Sequence, residues 1–129
     1  MNLEAYFENT KGTGVMATAD KDGKVDAAVY SRPHFLEDGT VAFIMRDRLT
    51  RSNLQTNPHA AYLFIEKGPG YAGKRLYLTK IREEEKSELL VKFKRRQLNP
   101  EETAEKGPLF LTVFQIDKEL PLIGPGDEA

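Results

Sequence analysis

The stretch Thr40–Glu66, TVAFIMRDRLTRSNLQTNPHAAYLFIE, sets the reading of the chain. An apolar run, Val41 to Met45, opens onto Arg46, Asp47, Arg48, Leu49, Thr50, Arg51, Ser52 and Asn53. A short polar helix follows and stops at Asn57-Pro58, because the residue before proline is pushed out of the α region. A second apolar run occupies Ala60 to Ile65. The physical reading is strand, cationic turn, short helix, strand. Three arginines, a threonine hydroxyl and helix N–H groups without intrahelical partners suit a phosphate. Arginine adds a planar fork of donors that matches phosphate oxygens. The competing reading is a solvated charged turn.

Outward from this stretch the chain alternates short strands with turns. Met1 to Asn9 spaces Leu3, Tyr6 and Phe7 as one or two turns of amphipathic helix. Val15–Ala19, the turn Asp20-Lys21-Asp22-Gly23 and Lys24–Arg32 form a hairpin signal. Glu37-Asp38-Gly39-Thr40 is a second turn of the same kind, so an antiparallel meander is predicted. After a glycine-rich connection, Glu66 to Gly73, the run Lys74–Ile81 places Leu76 and Leu78 on one face. Glu83 to Leu98 switches to helical spacing, with Leu89, Leu90, Phe93 and Leu98 as the stripe. Its acidic start and basic end complement a helix dipole. Asn99-Pro100 ends it, Glu101 to Gly107 is polar, and Pro108–Ile116 is the most apolar strand. These elements make a mainly β domain of six antiparallel strands with peripheral helices. Short antiparallel strands favour a closed or nearly closed barrel, and most connections are too short for crossover helices.

Composition narrows the chemistry. With 129 residues, 40% apolar and 30% charged, the chain has the size and balance of one soluble globular domain. A net charge of -1 makes the whole molecule no polyanion binder, so no nucleic-acid partner is expected and any anion site is local. The absence of cysteine excludes disulfides, thiolate metal sites and a Cys nucleophile. The opening residues lack an apolar signal-peptide core, and no run approaches the roughly 18–20 residues of a membrane span. A cytoplasmic location without membrane contact is the expectation. There is no tryptophan, so visible absorption or strong emission would report a bound chromophore.

His34 and His59 are the only histidines; they read as surface residues without the carboxylate spacing of a metal site. No serine elbow, Walker loop or dinucleotide fingerprint occurs. Lys92, Lys94, Arg95 and Arg96 read as a solvated helix face. Leu120 to Ile123 is too apolar to float free, so the tail from about residue 117 to 129 is expected to pack on the barrel or on a partner subunit.

The order of these features resembles the FMN-binding split barrels, the superfamily of pyridoxamine 5′-phosphate oxidase. The segments that carry the likeness are Gly14–Gly23, Ala27–Arg32, Asp38-Gly39 with its strand, and the Arg/Ser-rich turn with Asn53-Leu54 and Asn57-Pro58. In length and in Gly68-Pro69-Gly70 the chain is most similar to the small FMN-binding proteins of sulfate-reducing bacteria. The resemblance implies a six-stranded split barrel, a homodimer with FMN at its interface, and an oxidoreductase or electron-transfer role with a small-molecule or redox-protein partner. The family's phosphate-binding Ser-Arg-Lys run falls on Arg48, Leu49 and Thr50, so a leucine and a threonine stand at its basic positions. Arg46, Arg48, Thr50, Arg51 and Asn53 are the implied phosphate group. Val29, Tyr30, Ser31 and Arg32, with Phe43 and Ile44, fall beside the implied flavin. Ala27 or Ala28 replaces the arginine that opens this strand in the oxidases. No residue is assigned a catalytic role. The alternatives are a flavin-binding sensor or storage module without turnover, a barrel using a deazaflavin, haem or pyridoxal phosphate, and an interaction domain without cofactor.

Overall fold

The computed structural model describes residues 2–85, 88–97 and 107–125. The elements are α1 (Leu3–Asn9), β1 (Gly12–Ala19), β2 (Val25–Tyr30), β3 (His34–Phe35), β4 (Val41–Arg46), α2 (Leu49–Thr56), β5 (His59–Glu66), β6 (Gly73–Glu84), α3 (Glu88–Gln97) and β7 (Leu109–Pro121).

Local chemistry explains the turns. In the first hairpin the Asp20 carboxylate accepts from Asp22 N at 2.9 Å and Lys24 N at 3.0 Å, while Gly23 takes the left-handed φ of 84° that the turn needs. In the second, Asp38 accepts from Thr40 N at 3.0 Å. At the start of α1 the Asn2 side chain accepts from Ala5 N at 2.8 Å, a standard cap.

The strands form one antiparallel sheet in the order β2-β1-β5-β6-β7-β4-β3. This corrects the expected six-stranded meander. A seventh, two-residue strand, β3, pairs His34 with Ala42 and Phe35 with Val41. β4 pairs with the distant β7, and β1 with β5, so α2 carries the chain from one side of the sheet to the other. The sheet curls until β2 and β4 face each other across a split rather than through hydrogen bonds. Two further bounds move. β6 continues through Glu83 and Glu84, read from sequence as a helix start, and β7 runs on to Pro121 through residues assigned to the tail. The predicted stop at Asn99-Pro100 and the end of the tail lie outside the described residues.

Two apolar clusters hold the sheet. The barrel interior contains Met16, Phe43, Tyr62, Phe64, Leu76 and Phe114, with Phe7 of α1 closing one end. On the other face of β4 and β7, Ala42, Ile44, Leu111 and Val113 pack under Leu90 and Phe93 of α3. β4 and β7 are therefore covered on both sides, which is why their sequences are unbroken apolar runs rather than alternating ones.

Candidate functional site

The split is closed at one end by α2. β4 ends at Arg46, the chain turns through Asp47 and the extended Arg48, and the helix begins at Leu49. Arg48 stands at the capping position, where no side chain caps the helix. The first-turn N–H groups have no intrahelical acceptor. At the other end the Asn57 N–H donates to Asn53 O at 3.0 Å, and Asn57 accepts from His59 N at 3.1 Å, a local stop before β5.

The buried side of α2 carries Thr50, Asn53 and Leu54. The Thr50 hydroxyl and the Arg48 charge lie close enough to the Tyr30 phenol to act on its ionisation. Burial pushes the Tyr30 pKa up, while Thr50 and Arg48 pull it down. The Tyr30 ring meets Phe43 edge-on at 6.3 Å. Next in the chain, the Ser31 carbonyl accepts from the Tyr62 phenol at 2.9 Å. Tyr62 is fully buried, which drives its pKa well above the usual phenol range, so it stays a neutral donor. Tyr62 and Gly14 are part of this arrangement: a Cβ on Gly14 would collide with the Tyr62 phenol and come within 2.7 Å of the Tyr30 carbonyl. A phenol inside an apolar strand needs a partner, and that was the available signal for Tyr62.

The structure thus brings Tyr30, Arg48 and Thr50 to one cleft, with Ser31 next to Tyr30 in the chain. Other expected site residues are engaged elsewhere. Arg51 points away from the split; its guanidinium grips both Glu83 carboxylate oxygens at 2.9 Å, reaches Asp47 at 3.0 Å and lies 3.6 Å over the Phe110 ring. Asn53 donates to the buried Thr18 hydroxyl at 3.0 Å. Arg32 clamps the end of α1 through Phe7 O at 2.7 Å and Thr10 O at 3.2 Å. That arginine, with Ser31, His34 and the α1 residues Glu4, Phe7 and Glu8, borders a cavity of about 260 Å³ behind the β2–β3 connection. Val29 points outward and is 75% exposed. The side chains of Phe43 and Ile44 are buried on opposite faces of β4. Their backbone is another matter: β3 covers β4 only as far as Ala42, so among the described residues no strand pairs with that edge from Phe43 to Arg46. Arg46, half-buried, ends this edge.

The histidines part company. His34 is no surface residue: it is half-buried, with its ring stacked on Phe93 at 4.3 Å. His59 is exposed. Among the described residues no group of His, Asp and Glu could hold a metal ion, and no helix is long and apolar enough to cross a membrane. Arg75 holds the start of the tail through the carbonyls of Pro121 and Gly124.

No family model and no curated protein sequence matches the chain. Its structure is similar to that of an FMN-binding protein from Syntrophomonas wolfei subsp. wolfei, with a TM-score of 0.75 and 22% identity over 92% of this chain and 82% of that one. An F420 reductase superposes with a TM-score of 0.68 at 18% identity, covering 93% of this chain and 97% of the other. HutZ, the haem storage protein of Vibrio cholerae, does so at 0.64 and 18%, covering 98% and 96%. With this sheet order and these likenesses, the chain shares the split-barrel fold of these proteins.

Proposed function

We propose that this protein binds FMN in the split and serves as an oxidoreductase or electron-transfer protein. The observation that carries the reading is the meeting of Arg48, Thr50 and Tyr30 at the uncapped N-terminus of α2. The donor set fits a phosphate monoester: a guanidinium, a hydroxyl and open helix N–H groups, with Arg46 at the end of β4 as a second cation. The flavin ring system would lie along Tyr30 and Ser31 and the open backbone edge at Phe43 and Ile44, whose alternating N–H and C=O groups match a flavin's acceptors and donors. When bound, FMN supplies the electron-transfer chemistry. The chain's own residues bind and orient it: Tyr62 fixes the Ser31 carbonyl, and the Thr50 hydroxyl stands beside the Tyr30 phenol. The redox partner is a small molecule or another protein, in the cytoplasm.

The protein acts as a homodimer in this reading. The outer face of β2, β1 and β5 sets Val25 (82% exposed) opposite Ala19, and Val29 opposite Val15 and, beyond it, Leu63, with Ala17 and Ile65 on the same face. So continuous an exposed apolar surface marks an interface, and a second copy of the chain is its natural cover.

Titration of the purified protein with FMN and with riboflavin tests the ligand. FMN should bind more tightly than riboflavin, and Arg48→Gln should lower FMN affinity about 10- to 100-fold, the worth of one charge-assisted hydrogen bond, with riboflavin unchanged. Failure to bind FMN alongside a Soret band on adding haem, or selective binding of a deazaflavin, would replace FMN by that ligand. Bleaching of the bound flavin by NADH or NADPH would separate a reductase from a sensor or storage protein. In sedimentation, wild type should run as a dimer and Val25→Lys/Val29→Lys as a monomer; a monomeric wild type ends the dimer reading.

A further inference from the structure

We infer that Arg51 is a positioning residue, and that it works through a β-bulge in β6 which aims Glu83 at it. This inference rests on the reading of the split as the site of a phosphate. The Arg51 guanidinium is enclosed by neighbours on several elements: Glu83 of β6 on one edge, Asp47 of the turn on another, and Phe110 of β7 beneath. Gln55, one turn further along α2, joins the same assembly by donating to Arg51 O at 3.2 Å. At 20% and 19% side-chain exposure the two charged groups are largely out of water, so their fork-to-fork contact is directional rather than a loose surface pair. The assembly ties the first turn of α2 to the two strands behind it and thereby sets where the helix N-terminus points.

The bulge decides which charge Arg51 meets. Leu78 lies opposite Ile116 and Lys80 opposite Phe114, all on the face towards the barrel interior and α2; the Lys80 ammonium donates to Leu54 O of α2. Uninterrupted pairing would bring Arg82 opposite Thr112 on that same face, cation against cation. Instead the register shifts between Lys80 and Arg82, Ile81 is the extra residue, and Glu83 lies opposite Thr112. Arg82 turns outward and pairs with Glu84 at 2.9 Å. One inserted residue exchanges a guanidinium for a carboxylate behind α2, the re-aiming of a side chain that bulges perform beside functional sites.

Glu83→Gln separates positioning from direct contact, because the two predict opposite signs. If Arg51 touched the phosphate, loosening it from Glu83 would strengthen FMN binding or leave it unchanged. As a positioning residue, its loosening lets the helix N-terminus drift. FMN affinity should then fall about tenfold, in the range of coupled neighbours, with riboflavin affinity unmoved. Arg51→Gln and the double variant should lose no more than Glu83→Gln alone. Glu83→Asp, which keeps the charge and shortens the reach, serves if Glu83→Gln does not fold, and should show the same phosphate-selective loss in smaller measure. Unchanged or tighter FMN binding in the folded Glu83 variant overturns the inference, as does an equal loss for both flavins. A wild type that binds FMN no better than riboflavin overturns the phosphate reading itself, and the inference with it.

Discussion

Arg48 and Arg51 stand three residues apart at the start of the same helix and serve opposite sides of it. Arg48 sits on the split side, acting on Tyr30 beside the Thr50 hydroxyl. Arg51 sits on the sheet side, held by a carboxylate from β6 and an aromatic ring from β7. The residue type is identical. What differs is the side of the helix that each serves. Arg51 is locked to Glu83 and organises the scaffold, whereas the Arg48 charge acts on the Tyr30 phenol at the split. A cluster of arginines therefore announces that anions are involved without saying which of them are part of the protein.

Breaking each side separately sharpens the contrast. The largest effect is expected on the split side. Gly14→Ala sets a methyl against the Tyr62 phenol and the Tyr30 carbonyl, where backbone and a fully buried ring leave little room to yield. Overpacking of this kind should cost about 3 kcal/mol in chemical denaturation, and a loss below about 1 kcal/mol would mean that the split can relax. A smaller effect belongs to the sheet side and depends on pH. Arg51 holds the Glu83 carboxyl below its usual range, so the folded state favours the carboxylate. The pair's contribution, about 1–2 kcal/mol, is complete above the ordinary glutamate pKa near 4.3 and is lost as pH falls through the lower folded value. The stability difference between wild type and Glu83→Gln should shrink from about pH 6 to about pH 3; a constant difference would show that charge is not its source. The smallest effect concerns Thr112, opposite Glu83 in register, whose buried hydroxyl has no hydrogen-bond partner among the described residues. Thr112→Val should be neutral or stabilising by about 0.5–1 kcal/mol on thermal melting, while a clear loss would reveal a partner such as a buried water.

Much of the architecture was legible because it is local. The bounds of α2 follow from its polar start and Pro58, both hairpin turns from Asp and Gly, and the strands from their apolar runs. Two departures, the extra strand β3 and the longer β6, share a cause. β3 is two residues long and carries no pattern, and it exists because β4 offers an edge. Glu83 and Glu84 read as a helix start because three acidic residues precede an amphipathic run, yet pairing with β7 draws them into β6. At the candidate site, type and position singled out Arg48, Thr50, Tyr30 and Ser31. Tyr62, Gly14 and Glu83 were not, since each acts through a residue at least 30 positions away.

By itself the sequence determined the mainly β character, the helix between β4 and β5, and the presence of a cationic turn. Those properties depend on turn chemistry, proline geometry and side-chain type within a few residues. Only the tertiary structure decided the order of the strands, the bulge at Ile81, and which arginine faces the split. These depend on pairings between distant segments, where one residue of register turns a side chain from one face of the sheet to the other.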